Sequence, residues 1–303
     1  MTIALTGGTG FLGHYLVRQL AEAGHDLRCL IRPTSDRSGF DDVGNRIEWV
    51  TGSLREPESF RDLVDGCDAV VHAALDRPGA GFRGAEGDVA TFVETNLVGT
   101  LRLIEAARTA GVGRFVFIST CAVHEKILPD RPLDETHPTW ATSHYGAHKA
   151  AIEQFVYSYG LGEGYPICAL RPCGIYGLAR PARMSKWFDL VRQVVRGGTV
   201  SCRRGGKEVH AGDVARAAEL LLTAPDEKIA GQAFNCCDRY VSEHEVATLA
   251  QEISGSEATI RGERTSPKNM IDTGKLRRLG MTFDSDERLR ETIAQLAEAV
   301  KST

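Results

Sequence analysis

Short apolar runs alternate with segments of helical periodicity along the first 170 residues of the chain. The apolar runs predict strands, which we place at 2–5, 27–31, 46–50, 68–72, 114–118 and 166–170. Helical spacing of apolar residues between these runs predicts helices, which we place at 11–23, 88–110 and 145–159. This alternation is typical of an α/β protein with a doubly wound parallel sheet that helices cover on both faces.

The pattern loosens after residue 171. Further helices are predicted at 183–196, 212–223, 242–254 and 286–301, and glycine-rich or polar stretches separate them. We therefore predict a domain boundary near residue 171. Residues 1–170 would hold the parallel sheet. Residues 171–303 would form a smaller C-terminal domain that mainly binds substrate, with some of its segments free to return to the sheet.

Composition narrows the class of protein. Hydrophobic residues make up 42% of the 303 residues and charged residues 25%, which is ordinary for a soluble globular protein. The net charge of -4 and the lack of a basic block argue against a nucleic-acid partner. No apolar run is long enough to cross a bilayer, and the residues before the first strand do not predict a signal peptide. We therefore predict a cytoplasmic protein with no membrane partner.

The eight cysteines do not indicate a metal site or a disulfide framework. No two of them form a CxxC pair, and they are scattered along the whole chain. In a chain of this length, such cysteines are typical of reduced and mostly buried thiols. We predict no bound metal.

A glycine-rich turn, Thr6 to Gly13, lies between the first predicted strand and the first predicted helix. Within it, Gly8, Gly10 and Gly13 satisfy the GxGxxG pattern of dinucleotide-binding turns. Glycines permit a tight turn and close approach of a pyrophosphate, which the N-terminus of the following helix attracts. The pattern predicts a Rossmann-type dinucleotide-binding domain in residues 1–170. The predicted cofactor contacts of the turn are Gly7, Gly8, Gly10, Phe11, Leu12 and Gly13.

The end of the second strand bears on the choice between NAD and NADP. An acidic residue at this point would accept hydrogen bonds from the ribose 2′-hydroxyl of NAD. The chain has Arg32 there, and Asp36 lies beyond the proline at position 33. A guanidinium suits a 2′-phosphate, so the sequence favours NADP(H) and leaves NAD(H) as the alternative. The alternative is that Arg32 is simply a solvated charge at the end of the strand.

Tyr145 and Lys149 stand four residues apart in the predicted helix 145–159, so they share one face of it. An ammonium there can stabilise a phenolate and lower the tyrosine pKa from about 10 toward neutral pH. Such a tyrosine can exchange a proton with a hydroxyl or carbonyl oxygen. Beside a bound dinucleotide, the pair predicts proton transfer coupled to hydride transfer.

Five further motifs are spread along the chain. They are VHAA at 71–74, NLVGT at 96–100, IST at 118–120, RPCGIYG at 171–177 and HAGDVA at 210–215. Together with the glycine turn and the Tyr145/Lys149 pair, they resemble the extended short-chain dehydrogenase/reductase family of the NAD-dependent epimerase/dehydratase type. The resemblance covers most of the chain.

The resemblance implies a role for each matching residue. Tyr145 would be the general acid/base, Lys149 would hold its pKa down and bind the nicotinamide ribose, and Thr120 would bind the reacting oxygen. Asn96 would organise the helix beside the site or a bound water. Two plainer alternatives stay open: Ser119 and Thr120 could simply end a strand, and Asn96 could simply satisfy backbone groups. Further implied cofactor contacts are Ser53, Leu54, Ala73, Ala74, Asn96, Tyr145, Lys149, Pro172 and Cys173.

The chain departs from the family pattern at positions that bear on its ligands. Ser53 stands where an acidic residue usually follows the third strand, which alters an adenine contact. The segment after Thr120 lacks the Asp-Glu pair of the family's dehydratases, which argues against a 4,6-dehydratase. Gly174 stands where many nucleotide-sugar enzymes have an asparagine, and their phosphate-contacting arginine would align near Gly206. Other basic residues that could meet an anionic substrate are Arg180, Arg183, Lys186, Arg203 and Arg204.

Two functional hypotheses follow from these residues. The first is an NAD(P)-dependent epimerase or oxidoreductase acting on a secondary hydroxyl or ketone of a sugar, with a nucleotide sugar as the default substrate. Its alternative is an NADPH-dependent reductase or dehydrogenase of a non-nucleotide carbonyl compound or sugar acid. The second hypothesis is a non-catalytic NAD(P)-binding redox sensor, against which the intact Thr/Tyr/Lys set argues. The resemblance also implies a homodimer that packs helices 88–110 and 145–159 across a twofold axis.

Overall fold

The computed structural model describes residues 1–78, 84 and 86–302 of the chain. Its strands are β1 (Thr2–Thr6), β2 (Asp26–Ile31), β3 (Ile47–Thr51), β4 (Ala69–His72), β5 (Arg114–Ile118), β6 (Ile167–Pro172), β7 (Gly174–Tyr176), β8 (Thr199–Ser201), β9 (Gly205–His210), β10 (Gln232–Cys236), β11 (Arg239–Ser242) and β12 (Thr259–Arg261). Its helices are α1 (Phe11–Glu22), α2 (Ser59–Val64), α3 (Val89–Val93), α4 (Gly99–Thr109), α5 (His144–Tyr157), α6 (Phe188–Val195), α7 (Ala211–Thr223), α8 (Asp226–Ile229), α9 (Glu243–Ser254), α10 (Gly274–Arg277) and α11 (Ser285–Lys301).

Seven strands form one parallel sheet in the order β3-β2-β1-β4-β5-β6-β10. The predicted α/β fold with a doubly wound parallel sheet is therefore confirmed. The chain leaves β1 toward β2 on one side and returns to β4 on the other, so the direction of winding reverses between β1 and β4. Ligands of such sheets bind beyond the carboxyl ends of the strands at this reversal. The glycine turn follows β1 at this point.

The sheet is covered on both faces because its strands are apolar on both sides. In β1, Ile3 and Leu5 belong to the core that includes residues of α1 and α7, whereas Ala4 belongs to the core on the opposite face. That second core is built from residues of α2, α4 and α5. Continuous burial of this kind explains why the strands appear as unbroken apolar runs in the sequence.

The predicted helix 88–110 is present, but it is not a regular α-helix throughout. α3 continues into a π-helical turn at Glu94–Val98, and α4 follows directly. Asn96 lies in that turn. The wider turn shifts the register of the side chains, and such turns are frequent at functional sites.

The C-terminal part of the chain contributes to two cores. β10 pairs in parallel with β6, and α7 packs on α1, so both elements belong to the large sheet layer. β7, β9 and β11 form a separate three-stranded sheet, β8 pairs with β12, and α6, α9 and α11 enclose a third core. The boundary near residue 171 remains a prediction, with 211–223 and 232–236 returning to the sheet. No helix in the described ranges combines the length and the apolar character needed to cross a bilayer.

Candidate active site

The turn between β1 and α1 is closed by two glycines that no other residue could replace without movement. Gly7 has φ +79, and a Cβ there would lie 2.8 Å from the backbone nitrogen of Ala74. A Cβ on Gly13 would lie 2.0 Å from the carbonyl oxygen of Gly7. A Cβ on Gly8 would lie 3.4 Å from its nearest atom and a Cβ on Gly10 would lie 3.3 Å from its nearest atom, so these positions are less constrained. The turn is therefore tight and leaves its backbone open to a ligand.

The N-terminus of α1 has the chemistry of an anion site. Gly10 precedes the helix, no side chain caps it, and its first turn carries no acidic residue. The first backbone N–H groups of an α-helix have no partner within the helix, and the helix dipole favours negative charge near them. The residues present thus fit a dinucleotide whose pyrophosphate approaches Phe11 and Leu12.

One cavity of about 1570 Å³ joins the glycine turn to the N-terminal end of α5. The predicted residues that line it are Gly7, Gly10, Phe11, Leu12, Gly13, Arg32, Ser53, Leu54, Ala73, Ala74, Thr120, Tyr145, Lys149, Pro172 and Cys173. Gly8 and Asn96 are the predicted residues that do not line it. Because the two sequence signals meet in one space, a dinucleotide held by the turn could reach the tyrosine.

Arg32 lines this cavity directly after β2. Its side chain is exposed, and its backbone forms a turn with Ser35 through hydrogen bonds of 3.1 and 2.9 Å. The carboxylate of Asp36 accepts a hydrogen bond from the backbone N–H of Ser38 at 2.8 Å, which lowers its pKa. Arg32 is therefore the charged residue of this loop that lines the cavity.

Tyr145 and Thr120 meet through their hydroxyl groups. Tyr145 lies in the first turn of α5, and Thr120 follows β5. Burial raises the pKa of Tyr145, while the hydrogen bond with Thr120 and the positive charge of Arg77 both lower it. The net direction is upward, opposite to the sequence expectation. Thr120 rather than Ser119 faces the tyrosine, because the Ser119 hydroxyl is engaged elsewhere.

The ammonium of Lys149 makes its closest contacts with the end of β5. Its ammonium donates to the carbonyl oxygen of Ile118 at 2.8 Å and lies 4.4 Å from the ring centroid of Phe117. Burial lowers its pKa to about 7, and Glu153 opposes that shift. The cation acting on the phenol of Tyr145 is instead Arg77. Spacing along the helix places Lys149 on the face that lines the cavity, but its ammonium binds the carbonyl oxygen of Ile118 at the end of β5.

A buried ion pair supports this region from behind. The Arg171 guanidinium donates to both oxygens of the Glu153 carboxylate at 2.6–3.1 Å, and both side chains are 0% exposed. The Ser119 hydroxyl donates to the same carboxylate at 2.5 Å. Arg171 also donates to Nε2 of His124, so the His124 Nδ1–H points to a carbonyl at 3.3 Å. The network joins β5, α5 and β6 beneath the cavity.

Asn96 holds the loop after β4. Its Oδ1 accepts from the backbone N–H of Asp76 at 2.8 Å, and its Nδ2 donates to the carbonyls of Asp76 and Phe92 at 2.8 and 3.0 Å. All its side-chain hydrogen bonds recorded in the described residues therefore go to backbone groups. Asn96 thus positions the loop that lines the cavity, in keeping with the plainer alternative that it satisfies backbone groups.

His72 was not singled out as a site residue, but it fixes the same loop. The Thr100 hydroxyl donates to the Asn96 carbonyl at 2.6 Å, so it accepts from Nε2 of His72 at 2.8 Å. Nδ1 then accepts from the Thr6 hydroxyl at 2.6 Å, which in turn accepts from the Ala74 N–H at 3.2 Å. Burial lowers the pKa of His72 to about 3, so the ring is neutral and this order of donors is kept.

Comparison with known proteins places the chain in a family. The family model described as NAD dependent epimerase/dehydratase family matches residues 3–237. The chain belongs to this family. Members are enzymes that depend on NAD, so the predicted family and the enzyme class are confirmed. The match covers the whole large sheet, including β10.

Relatives within the epimerase/dehydratase family carry different activities. A 4-hydroxy-2-methyl-3-oxo-4-farnesyl-3,4-dihydroquinoline-1-oxide ketoreductase of Stigmatella aurantiaca is 29% identical over 86% of the chain and 75% of its own length. A UDP-glucose 4-epimerase of Rhizobium meliloti is 30% identical over 62% of the chain, which spans only 56% of that relative. A solved UDP-glucose 4-epimerase from Thermotoga maritima superimposes with TM-score 0.80 at 23% identity, covering 100% of the chain and 99% of that structure. The last similarity shows the shared fold.

Proposed function

We propose that the chain is an NAD(P)-dependent oxidoreductase that interconverts a secondary alcohol and a ketone, with Tyr145 as the acid/base. The observation that carries this proposal is that Tyr145, hydrogen-bonded to Thr120, lines the same cavity as the glycine turn. The dinucleotide supplies or accepts the hydride when bound. The tight turn and the uncapped N-terminus of α1 support its placement.

The chain's own residues would handle the proton. In reduction, the Tyr145 hydroxyl would donate its proton to the carbonyl oxygen, and in oxidation the phenolate would take the alcohol proton back. The Thr120 hydroxyl would hold the same oxygen by a second hydrogen bond. Arg77 favours the phenolate electrostatically. Lys149, with a pKa of about 7, would exchange a proton near neutral pH and bind the ribose, as the resemblance implies.

For the cofactor, we propose NADP(H), with NAD(H) as the alternative. The family description names NAD. The observation that favours a 2′-phosphate in this member is Arg32, which lines the cavity where NAD-binding sites place an acidic residue. A guanidinium pairs well with a phosphate, but it has no acceptor for the O–H group of a ribose hydroxyl.

The substrate remains within the two classes that the sequence allowed. A sugar or nucleotide sugar is supported by the relatives named UDP-glucose 4-epimerase. A non-nucleotide carbonyl compound is supported by the relatives named as a quinoline-oxide ketoreductase and a 3-beta-hydroxysteroid dehydrogenase. The wall of the cavity near Gly174 favours the second class, because it has a buried carboxylate, that of Glu208, behind it. We also propose a homodimer through α4 and α5, to be checked by light scattering.

Two measurements on the purified protein test the proposed activity. Native mass spectrometry shows whether a dinucleotide is retained, and nicotinamide absorbance follows turnover of a panel of ketones and secondary alcohols. We expect a site that exchanges NADP(H) freely and turns over at least one ketone. Tightly retained NAD(H) with no net redox turnover would indicate an epimerase. Cofactor binding with no turnover or epimerisation of any substrate would favour the redox sensor and contradict the proposal.

A further inference from the structure

A buried carboxylate stands behind the wall of the cavity opposite the glycine turn. Glu208 lies on β9 and is 3% exposed, and its neighbours Gly206 and Lys207 line the cavity. β9 pairs in parallel with β7, with Gly174 opposite Glu208. Gly174 lines the same cavity. The carboxylate therefore sits at the junction of the two strands that form this wall.

Two glycines make room for this carboxylate. A Cβ on Gly174 would lie 2.4 Å from Oε2 of Glu208, and a Cβ on Gly206 would lie 2.3 Å from Oε1. Any side chain at either position would therefore displace the carboxylate. Gly174 also stands where many nucleotide-sugar enzymes have an asparagine, and their phosphate-contacting arginine would align near Gly206. The wall thus lacks a side-chain donor at both points and has an acidic group between them.

The nearest cation is already committed to that acidic group. Lys186 lines the cavity and donates to Oε2 of Glu208 at 2.5 Å. Burial raises the pKa of Glu208, and Lys186 opposes the shift, which favours the ionised pair. An ion pair of this kind has no net charge to offer a ligand. A diphosphate would meet one neutralised lysine and a buried carboxylate that repels it.

The lining of the cavity also includes the apolar side chains of Ile127, Ile175, Met184 and Ile271. Its polar residues include Arg77, whose charge acts on the phenol of Tyr145. Lys207 and Lys268 line the cavity as well, and Lys268 is exposed to solvent. Lys207 is half-buried, so solvent and salt screen mainly the attraction that Lys268 exerts on an anion, whereas Glu208 acts from the low-dielectric wall.

We propose that the substrate is an uncharged, mainly apolar ketone or secondary alcohol, and that Glu208 is a specificity-determining residue that excludes nucleotide diphosphates. The inference rests on the proposed function, since it names the substrate class of the same site. Lys186 faces the substrate with its ammonium already paired to Glu208 behind the wall, and the isoleucines and Met184 contact the apolar body of the substrate.

Binding of UDP to the NADP-saturated protein tests the exclusion without requiring turnover. Isothermal titration calorimetry should detect no UDP binding to the wild type below millimolar concentration. Glu208→Gln, which keeps the volume and frees the charge of Lys186, should tighten UDP binding by at least about tenfold. Lys186→Gln and the exposed control Glu257→Gln should leave UDP undetected. Melting temperatures establish that each variant is folded.

The two proposals fail in different ways. Micromolar UDP binding to the wild type, or no gain in a folded Glu208→Gln variant, would overturn the exclusion even if hydride transfer is found. A second measurement uses the wild type alone, with 1-tetralone and UDP-glucose as substrates. We expect NADPH-dependent reduction of the ketone and no reaction of UDP-glucose. Conversion of UDP-glucose would overturn the substrate class while leaving the proposed acid/base chemistry intact.

Discussion

Breaking the buried ion pair beneath the cavity should cost more stability than any surface ion pair in the described residues. Glu153→Gln keeps the side-chain volume but leaves the Arg171 guanidinium without a counter-charge. Both side chains are 0% exposed, and the carboxylate accepts from Ser119 as well as from Arg171. Removing one partner of a buried pair typically costs about 3–5 kcal/mol. For a chain of 303 residues, whose entropy of unfolding is about 0.6 kcal/mol/K, we expect the melting temperature to fall by roughly 5–8 °C.

Chemical denaturation provides the free energy of unfolding for this comparison. The double variant Glu153→Leu/Arg171→Met replaces the whole pair by apolar groups and should recover most of the lost stability. Glu48→Gln breaks an exposed pair with Arg28 and serves as the matched control, with little change expected. A single variant as stable as the wild type, or a double variant no better than the single one, would refute this reasoning.

Three further predictions concern the cofactor site and its lysine. Gly13→Ala should weaken dinucleotide binding by at least about tenfold in fluorescence titrations, because the new Cβ would lie 2.0 Å from the carbonyl oxygen of Gly7. Gly44→Ala is the control, since a Cβ there would have no atom within 4 Å, and equal affinities of the two variants would contradict the prediction. Arg32→Ala should lower kcat/KM for NADPH by about tenfold or more and spare NADH, and a parallel loss for both would exclude a 2′-phosphate contact. The free energy of unfolding of the wild type should rise between about pH 7 and 10.5, because Lys149 loses its proton near pH 7 in the folded state and near pH 10.5 in the unfolded state. Lys149→Met should remove this rise. Parallel curves of unfolding free energy against pH for the two proteins would argue against the lowered pKa.

Much of the large sheet could be predicted because its strands are buried on both faces. Apolar runs such as 114–118 coincide with β5, and GxGxxG lies on the turn where a dinucleotide site requires it. β9 escaped prediction because GGKEVH has no apolar run, and β10 because its pairing with β6 depends on residues far apart in the chain. Short strands of this kind are defined by tertiary pairing more than by local sequence.

The candidate site was predictable in its residue types but not in their hydrogen bonds. Spacing placed Tyr145 and Lys149 on one helix face, yet it could not show that the Ile118 carbonyl binds the ammonium. Arg77, which acts on Tyr145, follows β4 without a recognisable motif. Asn96 is turned toward the loop backbone by a π-helical turn that no sequence pattern indicates.

The central claim is that the phenol of Tyr145 transfers the proton that accompanies hydride transfer. Tyr145→Phe removes one oxygen and leaves the glycine turn untouched. Stopped-flow measurement of a single turnover, with a ketone that the wild type reduces, separates cofactor binding from chemistry. We expect Tyr145→Phe to keep the wild-type affinity for NADPH and to oxidise NADPH about 10²–10⁴ times more slowly. A Tyr145→Phe protein that oxidises NADPH at the wild-type rate would contradict the central claim.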